Sequence, residues 1–377
     1  MSHEDVPCCT STNPDSSLGR RGLLGATAAA VAGGALLGLA PAARAAAAAP
    51  APRGSDSDGL AVVLLGTNGG PPPLAARFGI STALVVGGRT YLIDCGRGSL
   101  SQYMRAGLDV GALSGIFLTH LHSDHVVDYF SYPLLLAPLG LTAKIPVYGP
   151  GPAGEPSLLA DAPGPLPGTA AMTAAANEAY AASSTFFLQE YLGVDPTSML
   201  DVHEIAVPAS ANASLGNPAP TMAPFTVFED DTVKVSATLV PHGAVFPAFA
   251  YRFDTAYGSV AFSGDTALTP NIPKIAAGVD VLVHEVVDLA YFEASGGSSA
   301  LLTHLQKVHT DVTELGAIAA ESGAGRLLAT HLGPGDPTLL SDAAWNKALR
   351  ASARSADYRG GMTLGADLMR IQIPRKK

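Results

Sequence analysis

Within LTHLHSDHVVDYF, residues 118–130, three histidines and an aspartate fall inside six positions: His120, His122, Asp124 and His125. They follow ALSGIFLTH, a run apolar enough to be a buried strand, so the cluster sits where a strand leaves the core. Residues two apart at a strand end project their side chains the same way, which aims His120 and His122 at one point. Asp124 and His125 fall on the following turn, where they can serve a second ion beside the first. A pair of divalent ions needs about six to eight nitrogen and oxygen donors, with a position left for water. The cluster supplies four, and the others must come from later strand ends.

Three residues stand in the right places. His242 follows the apolar run ATLVP, Asp265 lies in AFSGDT, and His331 ends RLLAT. A histidine met singly is ordinarily a hydrogen-bonded core or loop residue, and an aspartate after a strand is ordinarily a turn residue. Their common position, each just past a strongly apolar run, makes them candidates as a set.

Short β-rich runs divided by glycine turns open the chain at LAVVLLGTNGG, STALVVGG and RTYLIDCG, and SLSQYMRAGL has helical spacing. AKIPVYGP reads as a further strand. A second half follows, with DTVKVSATLVPHG, AFAYRFDT, GSVAFSGDT, VDVLVHEVVD, a helix near 311–322, RLLATHLG, a helix near 339–353 and a last strand in MTLGADLMRIQI. Strands and helices alternating in two halves, hairpins included, predict an α/β (α+β) chain folded as a four-layer αββα sandwich. Residues 151–224 differ in texture: Pro/Gly-rich at both ends, helical at AAMTAAANEAYAASSTFFLQEYLG, and read as an insertion.

The N-terminus has an address rather than a fold. Arg20-Arg21 precede a Gly/Ala-rich apolar run that closes on Pro41 and the small-residue sequence Ala43-Arg44-Ala45. Residues 1–45 therefore read as a twin-arginine signal peptide, 46–59 as a flexible linker, and 60–377 as the folded domain. The expected location is secreted or periplasmic, with no stable membrane anchor. Removal of 1–45 takes Cys8 and Cys9 with it and leaves Cys95 alone, so no disulfide forms within a mature chain. A net charge of −10 lacks the basic face that a general polyanion binder needs.

At the metal motif the chain resembles the metallo-β-lactamase fold hydrolases. The match runs His120-Leu121-His122-Ser123-Asp124-His125, then His242, Asp265 and His331, from about Leu60 to the C-terminus apart from the 151–224 insertion. The resemblance implies two zinc ions, with manganese or iron(II) as substitutes. His120, His122 and His242 would hold one, Asp124, His125 and His331 the other, and Asp265 would bridge them together with a hydroxide. True β-lactamases usually present a cysteine where Asp265 stands. Within the superfamily the chain is most similar to the ribonuclease Z and arylsulfatase-like branch. The similarity lies in LGTNGGPPPLAARFGIST with Arg77, in VYGP, in AYRF after His242, and in HEVVD at 284–288, which keeps the first two residues of that branch's His-Glu-Ala-Thr motif. VHTD around His309 resembles the branch's accessory histidine. The catalytic set expected from this is Asp124 with His309 as general acid, oriented by Glu285.

Substrate is harder to read. In ribonuclease Z proper a lysine-bearing arm, usually placed between the third histidine and the bridging aspartate, grips transfer RNA. Here 22 residues separate His242 from Asp265 and read as two paired strands. Between Lys144 and Lys234 there is no Lys or Arg, against ten acidic residues. These features make nucleic acid an unfavoured partner and a small ester, an aryl sulfate or phosphodiester, the expected substrate. The helix at 170–193 aligns Tyr180, Phe187 and Tyr191 on one face. This is either a stripe packed on the sandwich or an aromatic lid, with Tyr129 and Phe130 as an opposite wall. A lactonase, a ribonuclease Z-type phosphodiesterase and a non-catalytic zinc-binding protein are the alternative functions, and a homodimer is the expected form of any self-association.

Overall fold

The computed structural model describes residues 59–154 and 164–375. The stretch read as a signal peptide, the stretch read as a linker except for its last residue, and residues 155–163 of the stretch read as an insertion lie outside the described residues.

Strand β1 (Leu60–Gly66) is buried along its whole length, and its alternate residues enter two different cores. Leu60, Val62 and Leu64 face one, whereas Ala61, Val63 and Leu65 face the other. With a period of two, a strand apolar at every position must be covered on both faces. That condition sets the architecture. β1, β2 (Ser81–Val86), β3 (Arg89–Ile93), β4 (Leu113–Phe117), β5 (Ile145–Pro150), β6 (Leu200–Ile205) and β14 (Arg370–Ile373) form one sheet, in the order β14-β1-β2-β3-β4-β5-β6. The second contains β7 (Phe225–Glu229), β8 (Val233–Leu239), β9 (Phe249–Thr255), β10 (Gly258–Phe262), β11 (Val281–Val287), β12 (Arg326–Gly333) and β13 (Gly361–Leu364), ordered β13-β12-β11-β10-β9-β8-β7.

The inner faces meet in an aromatic centre. Phe117 of β4 has ring neighbours Tyr148, Phe228, Tyr251 and Phe253 at 5.0–5.9 Å. Outside the first sheet lie α1 (Ser99–Arg105) and α3 (Ser131–Leu136), contributing Leu100, Tyr103, Tyr132 and Leu136. Outside the second lie α6 (Asn271–Ile275), α9 (Leu315–Ser322) and α10 (Asp342–Ser355), contributing Ile272, Ile318, Trp345 and Leu349. The layers run helix, sheet, sheet, helix, as the alternation predicts.

Three local expectations need correction. MTLGADLMRIQI is two strands in different sheets, β13 and β14, because the chain turns over at Ala366–Met369 and crosses the sandwich. Inside the stretch read as insertion, β6 completes one edge of the first sheet, and β7 at the corresponding edge of the second begins directly after that stretch. Residues 289–308, to which the sequence reading gave no structure, form α7 (Leu289–Ala294) and α8 (Ser299–Val308).

The aromatic stripe is also different. The helix breaks at Tyr180 between α4 (Thr169–Ala179) and α5 (Ala181–Phe186), and a wide π-helical turn spans Phe187–Tyr191. These irregularities destroy the 3.6-residue register that aligned Tyr180, Phe187 and Tyr191. Tyr180 turns back to stack on Phe130, while Phe186, Phe187 and Tyr191 cluster with one another. Tyr180 and Tyr191 are 47% and 61% exposed, so they do not form a stripe packed on the sandwich. Tyr129 is fully buried in the core and donates to or accepts from Thr173, which removes it as a cavity wall. No helix among the described residues is long and apolar enough to cross a membrane.

Because Phe117 joins the two sheets, Phe117→Ala is expected to lower unfolding stability by about 3–5 kcal/mol, the usual cost of deleting a buried ring. A urea melt would show this as a lower midpoint with an unchanged slope.

Candidate metal centre

All seven candidate ligands converge at one end of the sandwich, and each arrives by a device that the local sequence dictates. The chain leaves β4 with Leu118 and Thr119 still extended and presents His120, then His122; α2 (Ser123–Val126) follows, carrying Asp124 and His125. His242 lies in the turn after β8, bridged to Val245. Asp265 follows β10 through Gly264, whose φ is +60° and where an added Cβ would lie 2.6 Å from the Phe249 carbonyl oxygen. Only glycine fits that passage.

His331 is delivered by a bulge. In the β11–β12 ladder Glu285 pairs with Thr330 and Val286 with Leu332, leaving His331 as the extra residue with φ +46°. A bulge re-aims a side chain at the cost of a ladder position, and left-handed backbone is unusual for a residue other than glycine. The glycine loop after β1 closes over it: Gly69 N–H donates to the Leu332 carbonyl, and Gly70 N–H lies 3.3 Å from His331 Nε2.

Two donor triads result. His120, His122 and His242 place one donor atom each within 4.8 Å of one another, and so do Asp124, His125 and His331. These are the two sets named from the sequence. Asp265 stands between them, with its Oδ1 3.4 Å from His125 Nε2 and its Oδ2 3.3 Å from His331 Nε2 and 3.8 Å from His242 Nε2. His309 caps the C-terminal end of α8, and its Nδ1 lies 3.3 Å from Glu285 Oε1 and 4.0 Å from Asp265 Oδ2. Glu285 Oε1 also accepts from the backbone N–H groups of Thr266 and Thr310.

The imidazoles are fixed from behind. His242 Nδ1 donates to the Val308 carbonyl at 2.7 Å, turning Nε2 into the site. His125 Nδ1 donates to Asp94 Oδ2 at 2.8 Å. Thr119 Oγ1 donates to the same Asp94 oxygen and stands 3.1 Å from His120 Nδ1, so one carboxylate orients an imidazole of each triad. Neither Asp94 nor Thr119 was singled out in the sequence. The available signal was weak: an aspartate ending the buried strand RTYLI, beside the strand that carries the motif.

Electrostatics call for positive charge. Burial alone would raise the Asp265 pKa, yet the facing His331 and His125 hold it well below the carboxylate range. Burial would lower His125, yet Asp265 and Asp94 lift it well above an ordinary histidine. Burial pushes His242 down to about 4, leaving a neutral donor. His120 Nε2, His125 Nε2 and Asp265 Oδ1 are fully buried with no hydrogen-bond partner. Buried donors of this kind are rarely left unpaired, and their nitrogen and oxygen chemistry suits divalent cations.

The remaining motif residues are structural. Arg77 is buried, bonding to Gly335 O, Thr67 Oγ1, Gly365 O and Asp342. Cys95 is buried and unpaired, and burial pushes its thiol pKa up. His284 is enclosed, with Nδ1 donating to the Glu285 carbonyl, whereas His203 stacks on Tyr148 away from the ligands.

Residues 76–128 match the family model for the metallo-beta-lactamase superfamily. Over 314 residues the chain is 31% identical to ribonuclease Z of Mycolicibacterium paratuberculosis, covering 83% of this chain and 98% of that protein. The chain belongs to the ribonuclease Z family. Ribonuclease Z of Mycobacterium bovis is 29% identical over 330 residues, covering 84% of this chain and all of that one. The short form of human tRNase Z has the same fold, with a TM-score of 0.55 at 20% identity over 83% of this chain and 99% of that one. Membership makes this protein a metal-dependent hydrolase of ester bonds, and the donor groups assembled here could hold its metal.

If Asp94 orients both triads, Asp94→Asn weakens divalent-metal binding by about 10- to 100-fold, the usual range for a partner behind a ligand histidine. Titrating the apo-protein with zinc against a chromophoric chelator measures the loss.

Proposed function

We propose that this protein is a dinuclear, zinc-dependent phosphodiesterase of the ribonuclease Z type. One observation carries the reading: Asp265 lies between two three-donor sets, with the His309–Glu285 pair at their edge, in a chain aligned with ribonuclease Z over nearly that enzyme's whole length. The relatives' names favour the phosphodiester alternative over the aryl sulfate that headed the sequence reading.

Bound metals would supply a water of lowered pKa as nucleophile and neutralise charge developing on the phosphoryl oxygens. The chain supplies the rest. His120, His122 and His242 would hold one ion, Asp124, His125 and His331 the other, and Asp265 both. Burial alone would lower the His309 pKa, but the adjacent Glu285 outweighs it and raises the group to about 9. In the metal-free chain His309 is therefore an imidazolium at neutral pH. With Nδ1 on Glu285, its Nε2–H is free to protonate the departing alkoxide. At 14% exposure it can reach substrate while still excluding most water.

The substrate side favours short phosphodiesters. The Lys- and Arg-free stretch between Lys144 and Lys234 offers no cation for a long phosphate backbone, and the residues between His242 and Asp265 form the β9–β10 hairpin. Twin-arginine export of the mature domain belongs to the same proposal, and cell fractionation with and without Arg20-Arg21 tests it.

Side-by-side assay of a bis-aryl phosphate, an aryl sulfate, a lactone and an RNA with a 3′ extension decides the substrate. The expected order places the bis-aryl phosphate first, and cleavage of the sulfate or lactone alone overturns the reading. His309→Ala is expected to lower kcat about 10²- to 10⁴-fold with an alkoxide leaving group, and much less with a nitrophenolate, which departs without a proton.

A further inference from the structure

Beneath the ligands, between the two sheets, lies a cavity with about 30 Å³ open to the centre of a water molecule. Its walls include Thr82, Asp94, Thr119, Ser263, Glu285, Thr330 and His331. A site needs about 10–15 Å³ by this measure, and two to four polar partners, to hold a water. The space is therefore sufficient for one, with little to spare beyond a second.

Five side-chain atoms of its lining residues are buried without a hydrogen-bond partner: His125 Nε2, Asp265 Oδ1, Glu285 Oε2, Thr330 Oγ1 and His331 Nδ1. The first two belong to the metal donor set. The other three do not, and all sit on residues at least nine-tenths buried. Thr330 and Glu285 are register partners in the parallel β11–β12 pair, so their side chains share a face, and the bulge places His331 next to them.

The comparison among the histidines sharpens the point. His120, His125 and His242 each have a protein group on Nδ1, namely Thr119, Asp94 and the Val308 carbonyl. His331, whose Nε2 faces Asp124 and Asp265, has none. A ligand imidazole without an outer partner is free to rotate and to change tautomer.

We infer that a buried water molecule in this cavity accepts from His331 Nδ1–H and donates to Glu285 Oε2, with Thr330 Oγ1 as its third partner. The water fixes His331 as a metal ligand. It also ties the second triad to the carboxylate whose other oxygen holds His309. Glu285 then positions both the metal set and the acid, one through each oxygen.

A high-resolution crystal structure of the zinc-loaded protein is expected to show this water within hydrogen-bond distance of both His331 Nδ1 and Glu285 Oε2. Zinc titration of the apo-protein against a chelator reads its role without any substrate, so failure here is separable from failure of the phosphodiesterase reading. Thr330→Val, which keeps the shape and removes one partner, is expected to loosen the weaker of two zinc steps about tenfold or more, whereas Thr330→Ser retains wild-type binding. A dry cavity, or a valine variant with both zinc steps unchanged, overturns the inference. Loss of zinc binding in the serine variant as well would also overturn it, because packing and not the hydroxyl would then be at work.

Discussion

The burial of Asp265 is the constraint on which the rest depends. A carboxylate removed from water costs several kcal/mol unless cations or donors replace its hydration. Here the replacement comes from His125, His331, His242 and His309, drawn from separate parts of the chain and brought together where strands of both sheets end. Neutral imidazoles could not meet that charge alone. The same field that holds Asp265 ionised lifts His125 and His309, so the folded chain balances buried anions with protons where divalent ions would otherwise stand. Metal binding in such a centre releases protons and must be coupled to pH.

Local irregularities in otherwise regular strands do the positioning. The bulge at His331 breaks a ladder to aim one ligand, Gly264 bends sharply to aim Asp265, and Asp94, at φ +60°, leaves β3 to face the motif. Each spends some backbone stability at the rim of the sandwich. Ligands mounted on a rigid double sheet vary little in separation, and a two-metal centre requires that. The helices α7 and α8, by contrast, are lightly packed, yet the last carbonyl of α8 holds His242 and its cap is His309. An element with little core of its own thus controls one ligand and the acid.

What could be read in advance follows from how locally each feature is encoded. The His120–His125 cluster announced itself because four donors lie within one turn of chain. His242, Asp265 and His331 were readable because apolar strands are, and strand ends in a sandwich converge. Asp94 and Thr119 escaped because an outer hydrogen bond leaves no spacing signature; only the packing of β3 against β4 reveals it. The final strand was misread since β13 and β14 are short and close together, and nothing in a hydropathy pattern marks a change of sheet. The aromatic stripe failed for a sharper reason. Helical periodicity assumes a continuous helix, and the break at Tyr180 followed by a π turn moved every ring after it.

Those displaced rings bear on what the centre can select. Phe186 and Tyr191 stack in the open, and Tyr180 lies on Phe130, five residues beyond His125. On the proposed function, an acidic, lysine-free stretch that displays aromatic faces would discriminate by stacking and by shape, since it has no Lys or Arg with which to hold a chain of phosphates. The metal centre itself recognises only the scissile phosphoryl group and its leaving oxygen. Under that proposal specificity would come from groups flanking the bond, and a planar flank suits exposed rings. The two halves of the proposal are then separate in the fold: the chemistry belongs to donors fixed at the rim of the sheets, whereas the choice of substrate would fall to a segment outside the core.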